Sequence, residues 1–516
     1  MEARIRSTLI DLHDWADSAD PEWRHPEDLA PALFAALSAQ MPRTPAALLD
    51  SSDHAHSAQP TRSRRSILAF SAGPHATTVS HADGITTVAA AGQTQRREQG
   101  FFSWLQQNWP DQKEVEKVVA QGAEPGERDT PSFRLGWVGW LGHELKRESG
   151  SPVTGAGDRS ALPTEEASLF RATHAVVLDH RLGQLELQWL ATPEPEVSWV
   201  ETVREALRAA LAESSPQSPN PRAGLRDVEV TDLIVRDSHT EYLAAVEAAQ
   251  REIVAGNSYE ICLTTAVTAR LGTAAPRCGI DLFRRLRSRN RAPFTQFLRI
   301  GETEILSTSP ERFMSLSASG TVRSEPIKGT RPRGTTAAED QRLAEDLVTH
   351  PKDRAENVMI ADLVRNDLSI HAAPGTLRTE RLCAVETYPT VHQLVSTISA
   401  QIPSGAVRAR VIADAFPPGS MTGAPKISTM NILEELESGP RGPYSGVAGY
   451  FSADGAADLA VLIRTVVLTG PDHARRLHLG LGGAITADSE PEAEWEEVRV
   501  KSRGVLEALG AEFPRS

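Results

Sequence analysis

The chain has 516 residues, 40% hydrophobic and 24% charged, with a formal net charge of −14. That length carries one very large domain or two to three ordinary ones, and the acidic balance argues against a nucleic-acid or anionic-membrane binder, because both need a basic face. No apolar run is long enough to cross a bilayer and Met1-Glu2-Ala3-Arg4 does not open a signal sequence, so a cytoplasmic protein is expected.

Residues 1–212 read as one region and 230–512 as another, joined across a linker at 213–229 that holds the Pro- and Ser-rich run E-S-S-P-Q-S-P-N-P-R. In the first region, 175–179 and 185–189 alternate as a hairpin and 201–212 has helical spacing. In the second, the spacing predicts a helix over 239–255 ending at Gly256, then a strand over 259–268. Further strands are expected within 297–307 and 312–322, a helix over 353–367, strands over 445–451, 459–468 and 477–481, and a closing helix over 492–509. Strands and helices come in runs rather than in strict alternation. The expected fold is therefore α+β: a large layered fold with mainly antiparallel sheets packed together and helices outside. Cys262, Cys278 and Cys383 fit no zinc spacing and read as reduced and mostly buried.

Several short motifs carry chemistry. Lys328, between Pro326-Ile327 and Gly329-Thr330, is an amine on a constrained turn, and such an amine becomes a nucleophile when its charge is suppressed. Glu311 in S-P-E-R-F stands at a strand entrance, where a partly desolvated carboxyl can stay protonated and act as a general acid. Asp353 and Glu356 are three apart on one helix, and Glu494 and Glu497 repeat that spacing. Each pair alone would usually be a solvated acidic face, but two converging pairs of oxygen ligands would suit Mg²⁺. G-S-M-T-G-A-P-K at 419–426 reads as a helix N-terminus that favours anions, and G-L-G-G-A-I at 480–485 as a donor-rich turn. Arg464, on a predicted strand, can meet a carboxylate bidentately.

In this order these motifs resemble the chorismate-utilising enzymes, the family of anthranilate, aminodeoxychorismate, isochorismate and salicylate synthases. The resemblance covers residues 230–510, through G-N-S-Y-E-I-C-L-T, S-P-E-R-F, P-I-K-G-T, K-D-R-A-E-N-V-M-I-A-D-L-V-R-N-D, V-H-Q-L-V-S, G-S-M-T-G-A-P-K, I-R-T, G-L-G-G-A-I and E-A-E-W-E-E-V-R-V-K. The first region matches more loosely, through R-L-G-W-V-G-W-L-G-H-E-L-K. Leu48-Leu49-Asp50-Ser51 resembles part of a tryptophan-binding element of relatives. Ser369, Pro418 and Gln393 depart from the family pattern.

The resemblance implies the chemistry. Glu260 stands where water-adding members have a lysine, which disfavours water addition, and Lys328 stands where anthranilate synthases have alanine, as in aminodeoxychorismate synthase component I. Chorismate would be the substrate and Mg²⁺ the cofactor, with Glu356 and Glu497 as ligands and Asp353 and Glu494 nearby. Tyr450, Arg464, Gly482, Gly483 and Lys501 would hold a substrate carboxylate. Neutral Lys328 would attack the ring, its pKa depressed by a nearby cation, while Glu311 protonates the leaving hydroxyl. Asp362, His392 and Thr422 would orient groups or handle protons. No amidotransferase half with a Cys-His-Glu set is seen, so ammonia would come from a separate glutamine amidotransferase subunit. The competing expectations are an anthranilate or aminodeoxyisochorismate synthase, and a non-catalytic ligand-binding paralogue.

Overall fold

The computed structural model describes residues 4–15, 26–57, 59, 61–110, 129–149, 164–191, 197–213, 229–272 and 278–514. Apart from its ends, the linker expected at 213–229 lies outside the described residues.

Two sheets of twelve strands each organise the chain, and their ladders are antiparallel throughout. The first runs Ile5–Asp11, Gln184–Leu190, His174–Asp179, Arg65–Phe70, Ala46–Asp50, Phe294–Ile300, Thr303–Ser309, Thr465–Thr469, Arg476–Ile485, Glu260–Leu271, Val230–Val235; the short strand Gly423–Ala424 also pairs with Glu260–Leu271. The second runs Ile327–Pro332, Val391–Gln401, Thr321–Glu325, Arg312–Leu316, Ala457–Val461, Val447–Ser452, Gly136–Leu141, Ala167–Ala172, Thr77–Ala82, Ile85–Ala90, Gln93–Glu98; Arg378–Thr387 also pairs with Val391–Gln401. Each sheet takes strands from both sides of 213–229.

The expected α+β layering is the class found. Ala47, Ile67, Leu298 and Ile305 of the first sheet meet Val138, Trp140, Phe170 and Ala448 of the second in one buried cluster. On its outer face the first sheet is covered by helices Leu29–Gln40, Val197–Glu213, His239–Val254, Cys278–Arg289 and Pro491–Ala508. Helices Phe101–Asn108, Pro351–Ser369 and Arg408–Ala415 cover the second. A sheet with both faces apolar buries them only between a second sheet and helices, which is why the strands here read as nearly continuous hydrophobic runs.

Local signals explain the element ends. Ser238 and Glu241 close a capping box on His239–Val254, and Gly256 follows at φ +81°. The hairpin of the first region forms with Asp179 opposite Gln184. Two turns expected from the sequence are strands. Lys328 lies on the edge strand Ile327–Pro332, where Gly329 at φ +88° makes a bulge between Ile327 and Thr330. Gly480–Ile485 continues a strand paired with Glu260–Leu271, because Gly482 lets that ladder close: a Cβ there would stand 2.4 Å from Leu263 O.

Candidate active site

Three segments meet around Lys328. The strand from Glu260 supplies a fully buried carboxylate, and Lys328 Nζ donates to Glu260 Oε1 at 2.6 Å. Burial opposes the ammonium charge, but the carboxylates of Glu260 and Glu356 and the thiol of Cys262 outweigh it and hold the lysine above its ordinary value. This corrects the expectation of a lysine made neutral by a nearby cation: its immediate neighbour is an anion, so the resting form is an ammonium. Glu260 entered the sequence argument only as the residue replacing a lysine; nothing in Y-E-I-C told that it would face Lys328 across 68 positions.

Glu311 immediately precedes the strand Arg312–Leu316 and is buried. Its Oε1 accepts from Ser420 Oγ at 2.7 Å. Burial pushes its carboxyl up to about 7, against smaller lowering effects from the Ser420 hydrogen bond and the Lys328 charge. A glutamate titrating there is half protonated near neutrality, as a general acid needs. Thr422 lies two residues past Ser420, fully buried; its hydroxyl donates to Gly419 O and its carbonyl accepts from Cys262 N. G-S-M-T thus delivers Ser420 to Glu311 and ties Thr422 to the Glu260 strand. The full run G-S-M-T-G-A-P-K ends in the helix N-terminus expected of it: the helix Lys426–Leu436 begins at its last residue, with Pro425 before it.

The four carboxylates expected to bind metal divide. Glu494 and Glu497 converge on Gly483, where a Cβ would stand 3.1 Å from Glu494 Oε2 and 3.6 Å from Glu497 Oε1. Glu356, on the helix Pro351–Ser369, shares with both the field of Lys352, whose Nζ is 3.9 Å from Glu356 Oε1. Asp353 Oδ2 is taken by Arg331 at 2.8 Å and stands 2.9 Å from His350, so it neighbours Glu356 with that oxygen already engaged. As these side chains stand, no three His, Cys, Asp or Glu among the described residues are gathered around one point. Glu494 Oε2 is nevertheless buried without a hydrogen-bond partner among the described residues. An orphaned carboxylate oxygen beside a glycine cradle fits a hard cation.

The substrate-binding candidates also divide. Arg464 sits between Ala457–Val461 and Thr465–Thr469 at φ +50°, not within one strand as expected. Its side chain is reached by solvent, yet surrounding protein lowers its pKa, with no charged partner acting on it among the described residues. An arginine held so is ready for an incoming carboxylate. The Arg476–Ile485 strand loses its neighbour Thr465–Thr469 after Leu479, so from Gly480 onward one backbone edge has no strand partner. Lys501 Nζ bonds Gly482 O at 2.9 Å and Glu497 at 2.6 Å, binding that edge to the last helix.

Three expected residues stand elsewhere. Tyr450 lines a separate cavity of about 400 Å³ with Leu49, Arg62, Phe294, Arg312 and Asp458. The tyrosine beside the Glu260–Cys262 end is Tyr444, whose ring is packed so closely on Gly480 that a Cβ there would overlap it at 2.1 Å. His392 faces the helical layer, with its ring nitrogens 2.9 Å from Asp340 and 2.9 Å from Thr387, so neither is open to a substrate. It shares that face with Leu394 and Ser396, which pack on Leu347 and Asn357. Asp362 is exposed and paired with Arg365. Asp367, five residues on, is turned inward instead: it is mostly covered, accepts from Lys426 at 2.6 Å and ties the helix to the G-A-P-K segment.

A lysine half-buried against a buried glutamate, a second glutamate poised near neutrality and an arginine with no charged partner among the described residues lie between two antiparallel sheets and have the makings of an acid–base site. The chain belongs to the chorismate binding enzyme family, which it matches over residues 64–507. It is 41% identical to an aminodeoxychorismate synthase from Streptomyces griseus over 87% of this chain; it spans only 59% of that relative's length. It is 36% identical to anthranilate synthase component 1 of Streptomyces coelicolor, over 73% of each chain. The solved anthranilate synthase component I from Streptococcus pneumoniae TIGR4 superposes with a TM-score of 0.67 at 25% identity, covering 86% of this chain and 92% of that one.

Proposed function

We propose that the chain is component I of an aminodeoxychorismate synthase, converting chorismate and ammonia to 4-amino-4-deoxychorismate for p-aminobenzoate and folate synthesis. The observation that carries this reading is a half-buried Lys328 held against the fully buried Glu260, 2.6 Å away, within the field felt by Glu311. The similarity to the Streptomyces griseus synthase supports it. Lys328 Nζ bonds to ring carbon 2 while the 4-hydroxyl leaves with a proton from Glu311; ammonia then bonds to carbon 4 and the lysine departs. Arg464 and the open edge at Gly482 and Gly483 hold a carboxylate, with Lys501 closing that side. Glu356, Glu494 and Glu497 would hold Mg²⁺, which neutralises substrate charge. Ammonia comes from a glutamine amidotransferase partner, a reading supported by the "component 1" in the name of the Streptomyces coelicolor relative.

The test is product analysis with chorismate, Mg²⁺ and ammonium, for the wild type and Lys328→Ala. Aminodeoxychorismate is expected from the wild type, convertible by an added lyase to p-aminobenzoate, with a loss of at least about 100-fold in the variant. Anthranilate as the product would overturn the assignment.

A further inference from the structure

Lys328 can bond to carbon only after its ammonium gives up a proton. In the resting protein that proton lies between Lys328 Nζ and Glu260 Oε1, 2.6 Å apart. Glu260 is fully buried, and its second oxygen, Oε2, has no hydrogen-bond partner among the described residues. Glu260 Oε1 already receives the N–H of Lys328, so the proton can cross that one hydrogen bond without any other contact being broken.

Resting on the reading of Lys328 as the nucleophile, we propose that Glu260 is itself a catalytic residue: it takes the proton of Lys328 as Nζ bonds to the ring and returns it when the lysine leaves. The steps balance within the site. The Nζ–C2 bond forms as C4–O breaks, and Glu311 gives its proton to the departing oxygen, which leaves as water. Ammonia then bonds to C4 as C2–Nζ breaks. The electron pair of that bond returns to Nζ, which recovers its proton from Glu260, and the new ammonium on C4 reprotonates Glu311. No proton has to reach solvent during turnover.

The other groups facing the pair are Glu356 from the helix Pro351–Ser369, Glu497 from the helix Pro491–Ala508, Glu311 and Cys262, with Arg441 and Lys501 beyond Cys262. They are present in wild type and variant alike, so their titration cancels in a ratio of rates. Glu260→Gln keeps the size and an acceptor oxygen but cannot take the proton, so Lys328 must lose it to solvent. The measurement is the wild-type/variant ratio of kcat with Mg²⁺ and saturating chorismate and ammonium, from about pH 6 to about pH 8. The ratio is expected to fall about tenfold per pH unit, because the neutral fraction of Lys328 rises at that rate only in the variant. A ratio independent of pH would mean that Glu260 merely positions the lysine, and would overturn the proposal. Glu260→Asp, which retains a carboxylate, is expected to lower kcat by a pH-independent factor; a ratio that falls with pH for this variant would overturn it equally. Intact-mass analysis of wild type with chorismate but no ammonium separates the two levels. A chorismate-derived adduct on Lys328 upholds the nucleophile whatever the ratios show, and its absence removes the reading beneath the proposal.

Discussion

Glu311 shows how a single buried carboxyl couples chemistry to stability. Its ordinary value of 4.5 rises to about 7 because burial penalises the anion more than Ser420 and Lys328 favour it. As the proposed proton donor it would have to be protonated, so kcat should fall as pH rises through about 7, and Glu311→Gln should lose about 10²–10⁴ in kcat together with that limb of the profile. Stability runs with the same sign. A carboxyl whose folded pKa is raised favours the folded protein below the unfolded value, and that advantage is lost as pH rises through the folded value. The shift corresponds to about 3 kcal/mol between pH 4.5 and 7. Glu311→Gln should therefore gain on the wild type by up to about 3 kcal/mol in denaturant melts at pH 8 relative to pH 5. Equal differences at the two pH values would show that Glu311 ionises in the fold as freely as in the unfolded chain.

At the scale of elements, two adjacent glycines of one strand have separable duties. Gly482 faces backbone: an added Cβ would press on Leu263 O at 2.4 Å, where nothing can yield without opening the ladder. Gly483 faces side-chain ends, Glu494 Oε2 and Glu497 Oε1, which can move. Gly482→Ala is expected to destabilise the protein by about 2–3 kcal/mol, read as a lower Tm. Gly483→Ala should leave Tm nearly unchanged and raise the Mg²⁺ concentration needed for half-maximal rate severalfold. The reverse pattern would take the cation cradle away from Gly483. Much at this scale was legible in the sequence, because capping and period are local: Ser238 and Glu241 announce a helix, and alternation announces the hairpin after His174. What was not legible depends on which way a segment turns. V-L-I-R-T reads as one strand until Arg464 adopts φ +50°. Tyr444 and Tyr450 are six residues apart, yet one packs beside the site strand and the other lines the second cavity. Asp362 and Asp367 share a helix, and only packing against Lys426 tells which is turned inward. Lys328 was singled out from sequence, but its partner Glu260 is joined to it only by the meeting of the two sheets.

At the scale of the whole molecule, the proposed catalytic and binding residues fall between Glu260 and Lys501, yet the sheets that hold them are completed from the first region. Two ladders make the junction. Phe294–Ile300 pairs with Ala46–Asp50, through Thr295 opposite Asp50 to Arg299 opposite Ala46. Val447–Ser452 pairs with Gly136–Leu141, through Val447 opposite Leu141 to Ser452 opposite Gly136. A chain of residues 230–516 alone would leave both strands as bare edges and would also strip Leu298, Ile305 and Ala448 of the Val138, Trp140 and Phe170 cover seen in the inter-sheet cluster. Long apolar edges of this kind recruit other chains. Residues 230–516 expressed alone should therefore aggregate, despite carrying every proposed catalytic group. Co-expression with residues 1–213 should restore a soluble, stoichiometric pair that melts cooperatively and converts chorismate, because both junctions form through backbone ladders and apolar contacts that need no covalent connection. Size-exclusion chromatography of the two preparations decides the matter. A monomeric, active 230–516 fragment would show that the catalytic strands hold their register without their neighbours, and that the first region is an appendage rather than half of each sheet.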